Sequence, residues 1–225
     1  HRLDGARSGN QDLVLIDSPR LMVPDVLGAL GFDRAMVRGG WAALAYLLRS
    51  PRVAMRLASM VSAPDSLLGS SYHGVTRYAL GDVRAVRYLL RPVSPLAELH
   101  PAVPENAPDG LRQDLQARLA SEPFRFDLHL LLEGGGRGAV EDASIAGPEE
   151  RGVRVASLWL QPEPFDLPER EALQARVRFD PWNGLAAHRP LGGINRARRV
   201  VYRASALLRN RLNGTAVQEP ACSGS

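Results

Sequence analysis

Hydrophobic residues are spaced in two ways along the chain, and the change of spacing predicts where helices give way to strands. Between residues 26 and 60 apolar residues recur every three to four positions, which is typical of helices. Gly28, Gly39-Gly40 and Pro51 divide this segment into two or three short helices. Further short helices are indicated within residues 108–122 and from Asp166 onward.

Alternation of apolar and polar residues predicts strands at residues 83–92, 124–133 and 153–161. In the second of these, one face would carry Phe124, Phe126, Leu128 and Leu130, and the other Arg125, Asp127 and His129. An apolar run at residues 12–17, stopped by Ser18-Pro19, predicts a further buried strand, whereas residues 62–81 are typical of a loop. Strands with intervening helices and no internal repeat predict an α+β fold.

The last predicted helix spans residues 193–214, with Asn195 as its N-terminal cap and Asn213-Gly214 as its C-terminal stop. Arg198 would lie one turn before Tyr202, and Arg209 two turns after it on roughly the same side. A guanidinium beside a phenol favours the phenolate, because the opposite charge stabilises the ionised form. A phenolate is a hard anionic ligand that suits ferric iron.

The segment FDPWNGLAAHRPLGGINR at residues 179–196, followed by Arg198-x-x-x-Tyr202, resembles the C-terminal part of the haem catalase-like proteins. The resemblance implies an incomplete antiparallel β-barrel with surrounding helices and a C-terminal helix that clamps haem. It implies that Tyr202 is the axial ligand of the haem iron, that Arg198 is its charge partner and that Arg209 pairs with a haem propionate. The implied function is a haem-dependent oxidoreductase that decomposes a small-molecule peroxide.

The resemblance covers roughly residues 11–212, the rear part of the family's core. The family places a distal asparagine on the strand that corresponds to residues 12–17, where this chain has Ile16 or Asp17. The family's distal histidine lies well upstream, where this sequence offers only His1. We therefore interpret the chain as a fragment with little turnover of its own, or as a protein that holds haem without catalase chemistry.

Several other polar residues receive no chemical role. The glycine-rich run at 134–138 is interpreted as a flexible connection, because no good helix start follows it. The adjacent Glu141 and Asp142 would face opposite ways on a strand, so they form no acid–base pair. His73, His129 and His188 are not assigned a ligand role.

Composition adds few constraints. The 225 residues are 45% hydrophobic and 23% charged, which is ordinary for one globular domain. We assign residues 1–213 to a partial haem domain and residues 214–225 to a disordered tail. The single Cys222 excludes an internal disulfide. No apolar run is long enough to span a membrane. No signal peptide is evident, so the cytoplasm is the default compartment.

All 28 basic residues are arginine, and codon usage explains this more simply than a binding surface does. We expect no nucleic-acid partner, although an oligomer is possible. Two alternative functions remain. A catalase-related enzyme could act on organic or lipid hydroperoxides, or the arginine-rich helix could bind nucleic acid or an acidic partner without catalysis.

Overall fold

The computed structural model describes most of the chain. The described ranges are 11–60, 64, 66–82, 84–94, 109–120, 122–133, 140–145, 152–164 and 167–215. The first ten residues, the predicted glycine-rich connection and the end of the chain with Cys222 lie outside these ranges. The division into a domain of residues 1–213 and a disordered tail therefore stays a prediction.

Three short helices follow the first segment, as the glycine and proline positions predicted. They are α1 (Val26–Arg38), α2 (Gly40–Arg49) and α3 (Pro51–Met60). The Asp25 side chain caps α1 by accepting a hydrogen bond of 2.8 Å from the Gly28 N–H. Gly39, between α1 and α2, has a φ of 63°, a left-handed conformation that glycine adopts without strain. The first helix therefore ends at that position.

Three further α-helices follow later in the described chain. They are α4 (Gly110–Leu119), α5 (Pro168–Arg176) and the C-terminal α6 (Gly192–Asn213). All three were predicted, with small differences at their ends. The 22 residues of α6 give it a length of roughly 33 Å, at the usual rise of about 1.5 Å per residue. No helix in the described ranges is both long and apolar enough to cross a lipid bilayer.

Within the described residues, five antiparallel strands form one sheet. They are β1 (Tyr72–His73), β2 (Tyr78–Leu80), β3 (Arg84–Pro92), β4 (Phe124–Glu133) and β5 (Gly152–Leu160). The strand order is β1-β3-β4-β5, and β2 also pairs with β3. The three long strands were predicted from alternation, whereas β1 and β2 lie in the segment that was interpreted as a loop.

The expected incomplete β-barrel is, in the described residues, an open sheet. Only β4 pairs with β5 among the described strands, so no described strand lies along the other edge of β5. Residues 153–159 of β5 are exposed whichever face of the sheet they point to. A closed barrel has no free edges and buries its inward-facing residues. The prediction of a barrel is therefore wrong for this part of the chain.

Two clusters of buried side chains form the core against the sheet. The first contains Leu68, Leu119, Phe124 and Phe126. The second, here called the tyrosine cluster, contains Tyr78, Val86 and Tyr88. Leu13 and Leu15 pack against the tyrosine cluster. The buried strand predicted at residues 12–17 is reduced to one bridge, in which Ile16 and His73 exchange backbone hydrogen bonds of 3.0 and 2.6 Å.

A buried charge cluster joins β3, β4 and the segment before β2. The Glu133 carboxylate accepts hydrogen bonds from the Nε atoms of Arg77 and Arg87, and all three side chains are at most 8% exposed. Arg77 also donates to the Asp142 carbonyl at 2.8 Å, and Arg87 to the Ile145 carbonyl at 2.7 Å. Burial lowers the pKa of Arg87, and the attraction of Glu133 opposes this effect. The cluster thus fastens residues 140–145 to the sheet.

Replacing Glu133 with Gln should destabilise the fold by about 3–5 kcal/mol, because two buried guanidiniums lose the carboxylate that they share. Urea denaturation would measure the change in the free energy of unfolding. The matched control is Glu163→Gln, since Glu163 pairs with Arg170 while both side chains are at least 44% exposed. We expect less than about 1 kcal/mol there. Equal losses in the two variants would contradict the role given to the cluster.

The tyrosine cluster predicts a loss of stability in alkali. Burial raises the pKa of Tyr88 from 10.0 to about 12, and a hydrogen bond from Gln11 partly offsets this. The unfolded chain releases this proton near pH 10 and the folded chain near pH 12. The stabilisation is therefore complete below pH 10 and is lost as the pH rises through about 12. Unfolding measured across this range should show a shallower loss in Tyr88→Phe. An unchanged slope would contradict the assignment.

Candidate functional site

The C-terminal helix α6 begins in a way that the sequence did not predict. The residue at the N-cap position is Leu191, and Asn195 lies inside the first turn with 0% of its surface exposed. The Asn195 side-chain amide donates to the carbonyls of Leu191 and Arg77, at 2.8 and 3.0 Å. The prediction that Asn195 caps the helix is therefore wrong. The residue instead ties the first turn of α6 to the segment before β2.

A carboxylate satisfies the N-terminal end of α6 in place of the predicted cap. Glu141 accepts a hydrogen bond of 2.7 Å from the Gly193 N–H and forms an ion pair of 3.3 Å with Arg196. A negative charge stabilises the positive end of the helix dipole. Gly192 has a φ of 84°, and a Cβ there would lie 2.7 Å from the Val140 carbonyl oxygen. This position therefore requires glycine, because the helix starts so close to the Val140 backbone.

Arg198 and Tyr202 contact each other, one turn apart on α6. The Arg198 Nη2 atom donates to the Tyr202 hydroxyl at 3.1 Å, and the guanidinium carbon lies 5.1 Å from the centre of the Tyr202 ring. The Nη1 atom of Arg198 donates to Thr76 Oγ1 at 3.2 Å and to Asn195 Oδ1 at 3.3 Å. The guanidinium is thus held by three side chains. Its orientation toward the phenol is fixed by the segment between β1 and β2 as well as by the helix.

A second phenol lies beside the same guanidinium. Tyr78 is 2% exposed, and its hydroxyl makes no hydrogen bond of normal geometry. Burial raises the pKa of Tyr78, while the nearby Arg198 charge and Thr76 hydroxyl lower it. The sequence interpretation gave Tyr78 no role, because it placed the residue in a loop. Its alternation with Leu80 was too short a signal to identify a strand.

The Tyr202 pocket is a cavity of about 300 Å³ between α6 and the segment that follows α5. Its lining residues are Arg178, Phe179, Val201, Tyr202, Ser205, Ala206 and Arg209. The Arg209 Nη2 atom donates to the Val177 carbonyl at 2.6 Å, which holds the side chain across the pocket from its own helix. The pocket thus brings Tyr202 and Arg209 together, whereas Arg198 contacts Tyr202 from the Thr76 side.

The remaining candidate residues lie elsewhere. His188 bonds through Nδ1 to Gln11 Oε1 at 3.1 Å, and His129 lies on β4 opposite Leu89. Asp17 is exposed. None of these residues lines the Tyr202 pocket, nor do Ile16 and His73, which form the bridge described above. In the described part of the chain, no group of three His, Cys, Asp or Glu residues could hold a metal ion.

Comparison with known proteins finds similar solved structures but no matching family model or curated protein. The solved structure of a fungal catalase is similar, with a TM-score of 0.68 and 15% identity over 93% of this chain and 49% of that one. The fold is catalase-like. A bacterial catalase gives a TM-score of 0.65 and 15% identity over 91% of this chain and 44% of that one.

The likeness to catalases establishes the fold of this chain and shows how much of a catalase it corresponds to. The chain spans about half the length of either catalase.

The sequence predicted Tyr202, Arg198 and Arg209 as site residues but not Arg178, which also lines the pocket. Arg178 directly precedes the FDP segment of the quoted motif. Its position beside that motif was the only signal for it, since the pocket joins residues more than 20 positions apart.

Replacing Asn195 with Ala should destabilise the protein by about 1–3 kcal/mol, because buried carbonyls and the Arg198 guanidinium lose their partner. Thermal unfolding monitored by circular dichroism would measure the loss. Asn213→Ala is the matched control, since Asn213 is exposed in the last turn of α6. We expect it to change stability by less than about 0.5 kcal/mol. Similar effects of the two substitutions would refute the role of Asn195.

Proposed function

We propose that this chain carries the proximal half of a haem-dependent oxidoreductase that decomposes peroxides, with Tyr202 as the axial ligand of the iron. The observation that carries the proposal is the Tyr202 hydroxyl, which accepts a 3.1 Å hydrogen bond from Arg198 beside a pocket that Arg209 also lines. The catalase-like fold supports it. We further propose that residues up to 213 form a partial haem domain.

The chemistry of the pocket residues fits haem. A tyrosine oxygen is a known axial ligand of haem iron, and an adjacent guanidinium stabilises its anionic form. Phe179 and Val201 supply apolar walls that suit a porphyrin ring. Arg209 offers a planar cation suited to a carboxylate. These residues would supply a ligand atom for the iron, a charge partner for that atom, apolar walls for the ring and a cation for a propionate.

Each of these residues would then have a separate role in holding haem. Tyr202 would hold the iron, and Arg198 would orient the phenol oxygen through its hydrogen bond. Arg209 would fix the rotation of the ring by holding a propionate, and Phe179 would limit the access of water. When bound, haem would supply the redox chemistry of peroxide cleavage. The described pocket residues include no histidine or carboxylate to move a peroxide proton, so we assign this chain ligation and anchoring only.

The contacts of α6 disfavour the alternative of a nucleic-acid-binding helix. Several of its arginines contact other groups of the protein, while the Arg196 and Arg203 side chains are 64% and 41% exposed. Arg196 pairs with Glu141, Arg203 lies 3.8 Å from Asp180, and Arg199 stacks over the Trp182 ring at 4.9 Å. A surface that binds phosphates needs cations directed to solvent. These contacts favour an arginine set that positions the helix.

Titration with hemin should give a Tyr202-dependent shift of the Soret band and a tyrosinate-to-iron absorption band. Tyr202→Phe should remove that band and weaken binding by at least about tenfold, because it removes the ligand atom. Tyr46→Phe is the matched control, since the Tyr46 hydroxyl bonds to the Gly28 carbonyl away from the pocket. An identical spectrum and affinity in Tyr202→Phe would refute the ligand assignment. Comparing hydrogen peroxide with a lipid hydroperoxide would then distinguish the substrate classes.

A further inference from the structure

We propose that Arg178 is a second carboxylate-binding residue of the Tyr202 pocket, an inference that rests on the proposed function. With Arg209 it would hold the two acid groups of a flat, largely apolar dicarboxylic ligand. Neither the motif nor the family resemblance pointed to this residue. The evidence for its role is that the side chain is nearly buried, lines the pocket and has an unpaired Nε atom.

Arg178 is nearly buried but poorly satisfied. Its side chain is 11% exposed and lines the pocket, and its Nε atom is buried without a hydrogen-bond partner. Its Nη2 atom lies 3.9 Å from Asp180 Oδ2, which is beyond hydrogen-bond distance. A buried charged donor without an acceptor is costly, and a ligand carboxylate would supply the missing acceptor.

The nearest carboxylate is already committed to other groups. Asp180 is 3% exposed, and its Oδ1 atom accepts a hydrogen bond of 2.9 Å from the Trp182 N–H. Its Oδ2 atom lies 3.8 Å from the Nε atom of Arg203, so Arg178 shares that oxygen with a second cation. Two guanidiniums thus lie beside one carboxylate, and a third, that of Arg209, lines the same pocket. This local excess of positive charge favours an anionic ligand in the pocket.

The lining of the pocket indicates which kind of anion it would bind. Phe179, Val201 and Ala206 make most of the wall apolar, while Arg178 and Arg209 are the charged residues among the described lining. A small inorganic anion would leave the apolar wall in contact with water. A porphyrin with two propionates would cover the wall and neutralise both cations. A long-chain fatty acid has the same combination of apolar body and carboxylate, but it has only one acid group.

Binding of iron-free protoporphyrin IX to the full chain would test this inference without the iron ligand. Fluorescence titration should show that wild type binds protoporphyrin IX about tenfold or more tightly than its dimethyl ester, because the ester loses charged hydrogen bonds. Arg178→Gln should bind the diacid about tenfold more weakly than wild type and the ester equally. Arg203→Gln should bind both as wild type does. It is the matched control, because it removes the other cation beside Asp180 and does not line the pocket.

Three outcomes would overturn the inference. Equal binding of the diacid and the ester by wild type would exclude carboxylate recognition, and this measurement needs no variant to fold. An equal loss in Arg203→Gln would assign the effect to the charge balance at Asp180. Oleate that displaces protoporphyrin and binds as tightly as the diacid would point to a fatty-acid site instead.

The two proposals can fail separately. If the tyrosinate band with hemin depends on Tyr202 but Arg178→Gln binds the diacid normally, only the second anchor is wrong. If diacid binding depends on Arg178 but no tyrosinate band forms with hemin, the iron ligation is wrong and the carboxylate site stands.

Discussion

The structure depends on the buried attachment of the C-terminal helix to the segment that leads into β2. Asn195 donates to the Arg77 carbonyl, and Arg198 donates to Thr76, so two polar side chains of one helix face satisfy groups beside the sheet. Buried polar groups of this kind allow few alternative arrangements, because every shift leaves a donor or acceptor unpaired. The same contacts set the position of the Tyr202 phenol. Stability and candidate chemistry therefore share one set of hydrogen bonds.

Arginine side chains form many of the polar contacts that join segments in the described part of this protein. Arg77 and Arg87 each bridge a carboxylate and a backbone carbonyl, and Arg209 reaches the Val177 carbonyl from the opposite side of the pocket. A guanidinium has five donors in a plane, so one side chain can join several segments of chain. An ammonium group would not reproduce this geometry. The fold thus uses the arginines of this sequence to join segments that are distant along the chain.

Local patterns were enough to predict the helices and the three long strands of this fold, but not the short strands β1 and β2 or the way the elements pack together. The alternation in residues 124–133 predicted β4, and Gly39 and Pro51 predicted the divisions between the first helices. The expected barrel was wrong because closure depends on strands that are distant in sequence. Asn195 was misread as a cap because its partner, the Arg77 carbonyl, lies 118 positions away. The helical spacing brought Arg198 to Tyr202 correctly, whereas Arg178 enters the pocket only through tertiary packing.

The glycine at the start of α6 has a mechanical consequence for the phenol. The helix is fixed closely at Gly192, where the backbone almost touches the Val140 carbonyl, and Tyr202 lies ten residues further along, roughly 15 Å at the usual helical rise. A rigid rod of that length converts a tilt of 4° at its base into a displacement of roughly 1 Å at the oxygen. Errors of about that size are enough to slow an enzyme by orders of magnitude. A substitution remote from the pocket could thus misplace the phenol oxygen through leverage alone.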